Sequence, residues 1–234
     1  MRRRNEDAWH TSFAPSRLDD SPATQLTQAN RISHQAQATS GWAVVADGMG
    51  GHPAGDVASR TVVDFVGSSA PALMNKQEIE RCISVADHIL HSASSRDPNL
   101  RGMGSTVAGI IKHGSKALTF NLGDSRIYRF SSGALERLSS DHTDATGALT
   151  RYLGGFTPAN QARLAPHMVE IMVAVGDKLL ICTDGLTRGL TDTDIASFIQ
   201  SERAADDLLE AALCKDGSDN ITFVLLDFLS DQQA

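Results

Sequence analysis

Aromatic residues are scarce in this chain: Phe, Trp and Tyr together make up 5% of its 234 residues. A core with so few rings has to be filled by Val, Ile, Leu and Ala. Hydrophobic residues still reach 41%, enough for a sizeable core, so disorder is not the default. Cysteine is rarer. Cys82, Cys182 and Cys214 are far apart, odd in number and never in a Cys-x-x-Cys pair. That argues against a zinc framework and a disulfide scaffold, and a reducing cytoplasm is the simplest setting. An excess of positive charge is also missing. Lys and Arg number 21 against 28 Asp and Glu, a net charge of −7, which argues against a nucleic-acid binder with a basic stripe. No stretch of about 18 uncharged apolar residues occurs, so no membrane span is expected. The basic start Arg2-Arg3-Arg4 runs straight into Asn5-Glu6-Asp7, with no apolar signal core.

The length fits one domain over 1–234. Apolar runs at 7–13 and 41–46 predict strands, and the polar stretch 14–40 between them reads as a loop or irregular insertion. Helical spacing predicts helices over 54–69 and 76–94. The period then changes. Short runs at 105–112, 116–122, 125–131 and 134–139 predict a meander of antiparallel hairpins, and 168–174 with 178–183 another hairpin turning at Gly176-Asp177. Thr191 reads as the N-cap of a helix over 192–200. A further helix over 203–214 and a strand over 220–228 close the chain. Strands and helices come in blocks, which favours an α+β fold of two antiparallel sheets packed as a sandwich, with helical hairpins outside in α-β-β-α layers.

Acidic residues recur where these strand-like runs meet a glycine or a turn. They are Glu6 and Asp7, Asp47 before Gly48, Asp124 after Gly123, Asp184 before Gly185, and Asp219 before the last strand. Each Asp-Gly alone fits an ordinary turn. Carboxylates gathered at strand ends also hold hard cations through oxygen, and an acidic chain suits that use. The glycines of Asp47-Gly48-Met49-Gly50-Gly51-His52 would keep the backbone close to something outside the chain.

Six ordered motifs carry a resemblance. They are Arg2 to Asp7, Asp47 to Ser59, Gly104-Ser105-Thr106, Gly123-Asp124-Ser125-Arg126, Thr183-Asp184-Gly185-Leu186 and Asp219-Asn220-Ile221-Thr222. The chain resembles the metal-dependent Ser/Thr protein phosphatases of the type-2C class, in their bacterial form, over about residues 2–228. The resemblance implies an enzyme that hydrolyses phosphoserine and phosphothreonine on proteins, using a hydroxide that bridges two Mn²⁺ or Mg²⁺ ions. Asp47 would bridge the metals, Asp184 and Asp219 would complete one metal's ligands, and the Gly48 carbonyl would bind the other. Glu6 would act through a water, and Asp7 would support the local structure. Arg2 would grip the substrate phosphate, and His52 would protonate the leaving alkoxide; the other reading of His52 is a loop residue capping a turn.

Asp124 has two readings: a ligand of a third metal with Asp184, or a turn residue capped by Ser125 and Arg126. Gly104-Ser105-Thr106 reads as packing at a strand start. The resemblance also implies a bacterial Ser/Thr kinase as the opposing partner. The family's helical flap is almost absent here, since only Asp144 to Ala148 separate the segments that usually flank it. A non-catalytic partner-binding module that keeps the fold is the alternative, and a hydrolase of small phosphate esters a third.

Overall fold

The structure is a computed structural model that describes residues 5–13, 29–35, 40–49, 53–156 and 163–228. Strands β1 (Asp7–Thr11), β2 (Ala29–Gln35) and β3 (Ser40–Met49) come first, then helices α1 (Pro53–Ser69) and α2 (Lys76–Arg96). Six strands follow: β4 (Gly104–Ser105), β5 (Val107–His113), β6 (Lys116–Leu122), β7 (Arg126–Ser131), β8 (Ala134–Arg137) and β9 (Leu153–Gly154). The chain continues with β10 (His167–Met172), β11 (Lys178–Cys182), α3 (Asp184–Gly189), α4 (Asp192–Phe198), α5 (Ala204–Lys215) and β12 (Ile221–Asp227).

The strands form two sheets. One runs β10-β6-β5-β3-β4-β9, with β1 also paired to β3; the other runs β2-β12-β11-β7-β8. All pairings are antiparallel except β12 with β2. Side-chain alternation explains the layering. In β3, Ala43 and Val45 face the other sheet and meet Leu179, Ile181, Val224 and Leu226, while Val44 and Ala46 face α1 and α2. In β11, Leu179 and Ile181 point to the sheet interface, and Leu180 and Cys182 point to α3, α4 and α5. Both faces of each central strand are buried, so these strands read as continuous apolar runs. Three cores thus separate four α-β-β-α layers, as expected.

The helix ends follow their capping residues. The Asn75 side chain accepts from the Glu78 amide to start α2. Thr191 and Asp194 form a reciprocal capping box at the start of α4, at the N-cap read from sequence. No helix among the described residues is long and apolar enough to cross a membrane.

Three expectations about the elements need correction. Residues 168–174 and 178–183 do not form a hairpin: β10 pairs with β6 in one sheet, and β11 with β7 and β12 in the other. The intervening turn carries the chain across the sandwich, held by Gly176 N donating to Phe228 O and by Arg129 donating to the Asp177 carboxylate. Gly123-Asp124-Ser125 does the same between β6 and β7, so the expected meander is two hairpins in two sheets. The stretch read as a loop over 14–40 contains β2; its residues 14–28 and 36–39 lie outside the described residues. The strand has no apolar alternation to announce it, and its pairing to β12 supplies the order.

Candidate metal centre

Chain direction alone brings the acids together. Asp7 opens β1 and Asp47 lies near the end of β3; the two strands are antiparallel and the residues face each other in register. Asp184 follows the end of β11 and Asp219 precedes β12, which are antiparallel neighbours in the second sheet. Asp124 sits in the link that crosses from β6 to β7. All five therefore lie at one end of the sandwich.

Hydrogen bonds tie the two sheets at this end. Thr183 Oγ1, from the second sheet, donates to Asp7 Oδ2 at 2.9 Å, and the Glu6 amide donates to Asn220 Oδ1 at 2.9 Å. The Asp47 backbone is fixed from the side: its N–H donates to Thr106 Oγ1 at 3.0 Å, and its carbonyl accepts from Thr106 N at 2.9 Å and Ser105 Oγ at 3.1 Å. The Gly104-Ser105-Thr106 motif thus positions the acid. Thr106 Oγ1 also bonds Ser125 Oγ at 2.8 Å, which links Asp47 to the Asp124 turn.

The two Asp-Gly pairs differ from each other. Asp47-Gly48 is not a turn, because β3 continues through Met49. Gly48 is needed for close approach: a Cβ there would strike the Gly55 carbonyl of α1 and come within 2.7 Å of the Glu6 carbonyl. Asp184-Gly185 opens α3, and a Cβ on Gly185 would strike the Asn220 carbonyl. Sequence reading missed α3, whose six residues are too few to show a period.

The electrostatics are those of crowded like charges. Burial, and then repulsion from Asp7, Asp184, Asp219 and Asp124, holds the Asp47 carboxyl well above the usual range. Burial pushes Asp7 up to about 7, against the lowering effect of hydrogen bonds from Thr183 and Thr222, with Asp184 and Asp219 adding repulsion. Burial, with repulsion from Asp184 next, raises Asp124 to about 6. Like charges directly opposite on one sheet face are destabilising, and strongly perturbed carboxyls gathered in this way mark a candidate functional site. Asp7, read from sequence as local support, stands inside this group.

The two residues read as caps of the Asp124 turn are engaged by other partners. Ser125 is engaged by Thr106, and Arg126 donates to the Asp141 carboxylate through Nε and Nη2, the shorter contact 2.7 Å. His142 Nδ1 accepts from the Gly123 amide at 3.1 Å, and burial lowers its pKa to about 4, so a neutral imidazole clamps this turn. The sequence shows no ligand spacing at His142, which fits this structural part.

The donor set suits hard cations. Asp184 Oδ1 is buried without a hydrogen-bond partner. An orphaned carboxylate oxygen beside other buried carboxylates is what a divalent ion would satisfy. The Glu6 carboxylate lies against the first turn of α1, where a Cβ on Gly55 would come within 2.9 Å of Oε2. Among the described residues, no three His, Cys, Asp or Glu side chains close into a ready-made cage. Arg188 reaches between two of the acids: its Nη2 is 2.7 Å from Asp184 Oδ2 and 3.7 Å from Asp219 Oδ2. Arg2 and His52 lie outside the described residues.

The fold and site define an α-β-β-α sandwich with an acidic, cation-suited centre at one end. Residues 27–216 match the family model described as Protein phosphatase 2C, and the chain belongs to that family. It is 33% identical over 211 residues to the serine/threonine phosphatase stp of Listeria monocytogenes, covering 79% of this chain and 83% of that protein. In fold it is similar to the serine/threonine phosphatase of S. agalactiae, with TM-score 0.75 and 23% identity, covering 98% of this chain and 95% of that one. It is also similar to the catalytic domain of PstP, a serine/threonine protein phosphatase whose crystal structure holds two manganese ions, with TM-score 0.73, 24% identity, and coverage of 98% and 94%.

Proposed function

We propose that this chain is a metal-dependent phosphatase that hydrolyses phosphoserine and phosphothreonine on proteins. The observation that carries the reading is the convergence of Asp7, Asp47, Asp124, Asp184 and Asp219 at one end of the sandwich, where burial first and mutual repulsion second raise the pKa values of Asp7, Asp47 and Asp124. The membership in the phosphatase family and the manganese ions of PstP support it.

Asp47 would hold two divalent ions together. Asp184 and Asp219 would complete the ligands of one, the Gly48 carbonyl would serve the other, and Glu6 would act through a water. Asp124, facing Asp184, is the residue that could serve a third. Such ions, Mn²⁺ or Mg²⁺, supply a nucleophilic water at neutral pH and neutralise the phosphoryl oxygens. The chain's own part is positional. Thr106 and Ser105 fix the Asp47 backbone, Thr183 orients Asp7, and Asn220 ties Glu6 to the second sheet. Arg2 would pair its planar fork with the substrate phosphate. His52 would give the leaving alkoxide its proton, since an unperturbed imidazole titrates at about 6.5.

The chain would be a single catalytic domain with its flap nearly absent. Between Thr143 and Leu149, which form an isolated bridge, lies only a tight turn in which Asp144 Oδ1 accepts from Thr146 N and Ala148 N. A segment this short would leave a more open substrate groove than a helical flap. The natural opponent would be a bacterial Ser/Thr kinase. A reducing cytoplasm suits the chain's Cys82, Cys182 and Cys214, all free thiols.

The test is hydrolysis of a phosphothreonine peptide with and without Mn²⁺. Wild type should release phosphate only with the metal, and Asp47→Asn should lose at least about a hundredfold in kcat/KM. Full activity in Asp47→Asn would overturn the assignment.

A further inference from the structure

Arg188 has no part in the mechanism above, yet it sits on the centre. It lies one helical turn after Asp184 in α3, so its side chain folds back over that residue. Its Nε donates to Asp184 Oδ2 at 2.8 Å, and its Nη2 stands 2.7 Å from the same oxygen. Nη2 also reaches within 3.7 Å of Asp219 Oδ2. Asp184, Asp219 and Asp124 all act on its charge, and Arg188 in turn lowers the pKa of Asp124. Two N–H groups on one carboxylate oxygen leave that oxygen little capacity for another partner. Oδ1 of the same carboxylate is buried and without a hydrogen bond. The contact therefore divides Asp184 into a covered oxygen and an available one. The Arg188 side chain is 52% exposed, so it has room to turn outward.

We propose that Arg188 is a built-in counter-cation of the acidic centre, and that it sets how much divalent ion the chain needs. This inference rests on the metal-dependent reading above. A guanidinium stays charged at every working pH, so pH does not relieve the competition. A divalent ion entering between Asp184 and Asp219 must either displace the fork or bind beside a fixed positive charge. An ion between Asp184 and Asp124 meets the same obstacle. The chain would thus trade metal affinity for a centre whose acids are partly neutralised by its own side chain, and the exposed stem would let the fork leave once the ion is bound.

The experiment is calorimetric titration of Mn²⁺ into the chelator-stripped chain near pH 7, on wild type, Arg188→Gln and Arg188→Lys, with melting of the metal-free proteins alongside. Arg188→Gln should bind Mn²⁺ at least about fivefold more tightly, the effect of one unit charge on a divalent ion about 8 Å away in bulk water. Metal-free Arg188→Gln should melt below wild type, because its acids lose their counter-charge. Arg188→Lys keeps the charge and should stay within about twofold of the wild-type Kd. Should the Gln variant fail to fold, Arg188→Met, which retains the apolar stem, is titrated in its place and read the same way. Equal or weaker Mn²⁺ binding in the neutral variant overturns the proposal while leaving the phosphatase reading intact. No Mn²⁺ binding by wild type or either variant overturns both.

Discussion

Raised carboxyl pKa values make the metal-free chain least stable where it would work. The perturbation is a pH series from 5 to 8 on chelator-treated protein. Asp7 is buried, and its pKa rises from 3.8 to about 7 on folding. Below pH 3.8 both folded and unfolded forms carry the proton, and the burial does no harm. Between 3.8 and about 7 the folded state holds a proton that the unfolded state has lost, so stability falls as pH rises. At about 1.4 kcal/mol per pH unit, the two units from pH 5 to 7 are worth about 3 kcal/mol for Asp7. Asp47 and Asp124 shift in the same direction and add to the fall, while His142, lowered to about 4, works against it up to about pH 6.5 and offsets part of it. For a chain of this length, about 3 kcal/mol moves Tm by roughly 6–12 °C. The assay is thermal melting followed by circular dichroism. Asp7→Asn should flatten the slope. Saturating Mn²⁺ should reverse the order, because the ion binds the ionised acids and stabilises the folded state more at pH 8 than at pH 5. A metal-free Tm that stays level or rises between pH 5 and 7 would refute the reasoning.

Two further predictions concern the frame around the acids. Gly48→Ala places a Cβ against the Gly55 and Glu6 carbonyls and should destabilise the chain by about 2 kcal/mol or more in urea unfolding, with loss of Mn²⁺ binding as β3 and α1 are forced apart. Leu180→Ala removes a fully buried side chain between β11 and the helices α3 to α5, and should cost about 2–5 kcal/mol in the same assay.

The layers were legible because they follow from period. Runs such as Val44-Val45-Ala46 and Leu179-Leu180-Ile181 announce strands buried on both faces, and α1, α2 and α5 carry helical spacing long enough to read. What was not legible is which sheet each strand joins. Gly176-Asp177 and Gly123-Asp124 have the composition of hairpin turns, yet both carry the chain across the sandwich. The difference lies in distant partners, Phe228 for Gly176 and Thr106 for Ser125, which no local window contains. β2 depends on its neighbour β12 in the same way.

The acids show the same division. Asp-Gly was visible as a signal at both Asp47 and Asp184, but the reason for the glycine was not. Each lacks a Cβ because a carbonyl from another segment, Gly55 or Asn220, comes too close. Those two contacts are what press the start of α1 onto β3 and the start of α3 onto β12, and so hold each carboxylate at the end of the sandwich. The packed apolar layers then oppose the repulsion among the acids. The centre is therefore a load on the fold, carried by the layers behind it. Substitutions that neutralise an acid should raise the stability of the metal-free chain while they remove its affinity for cations.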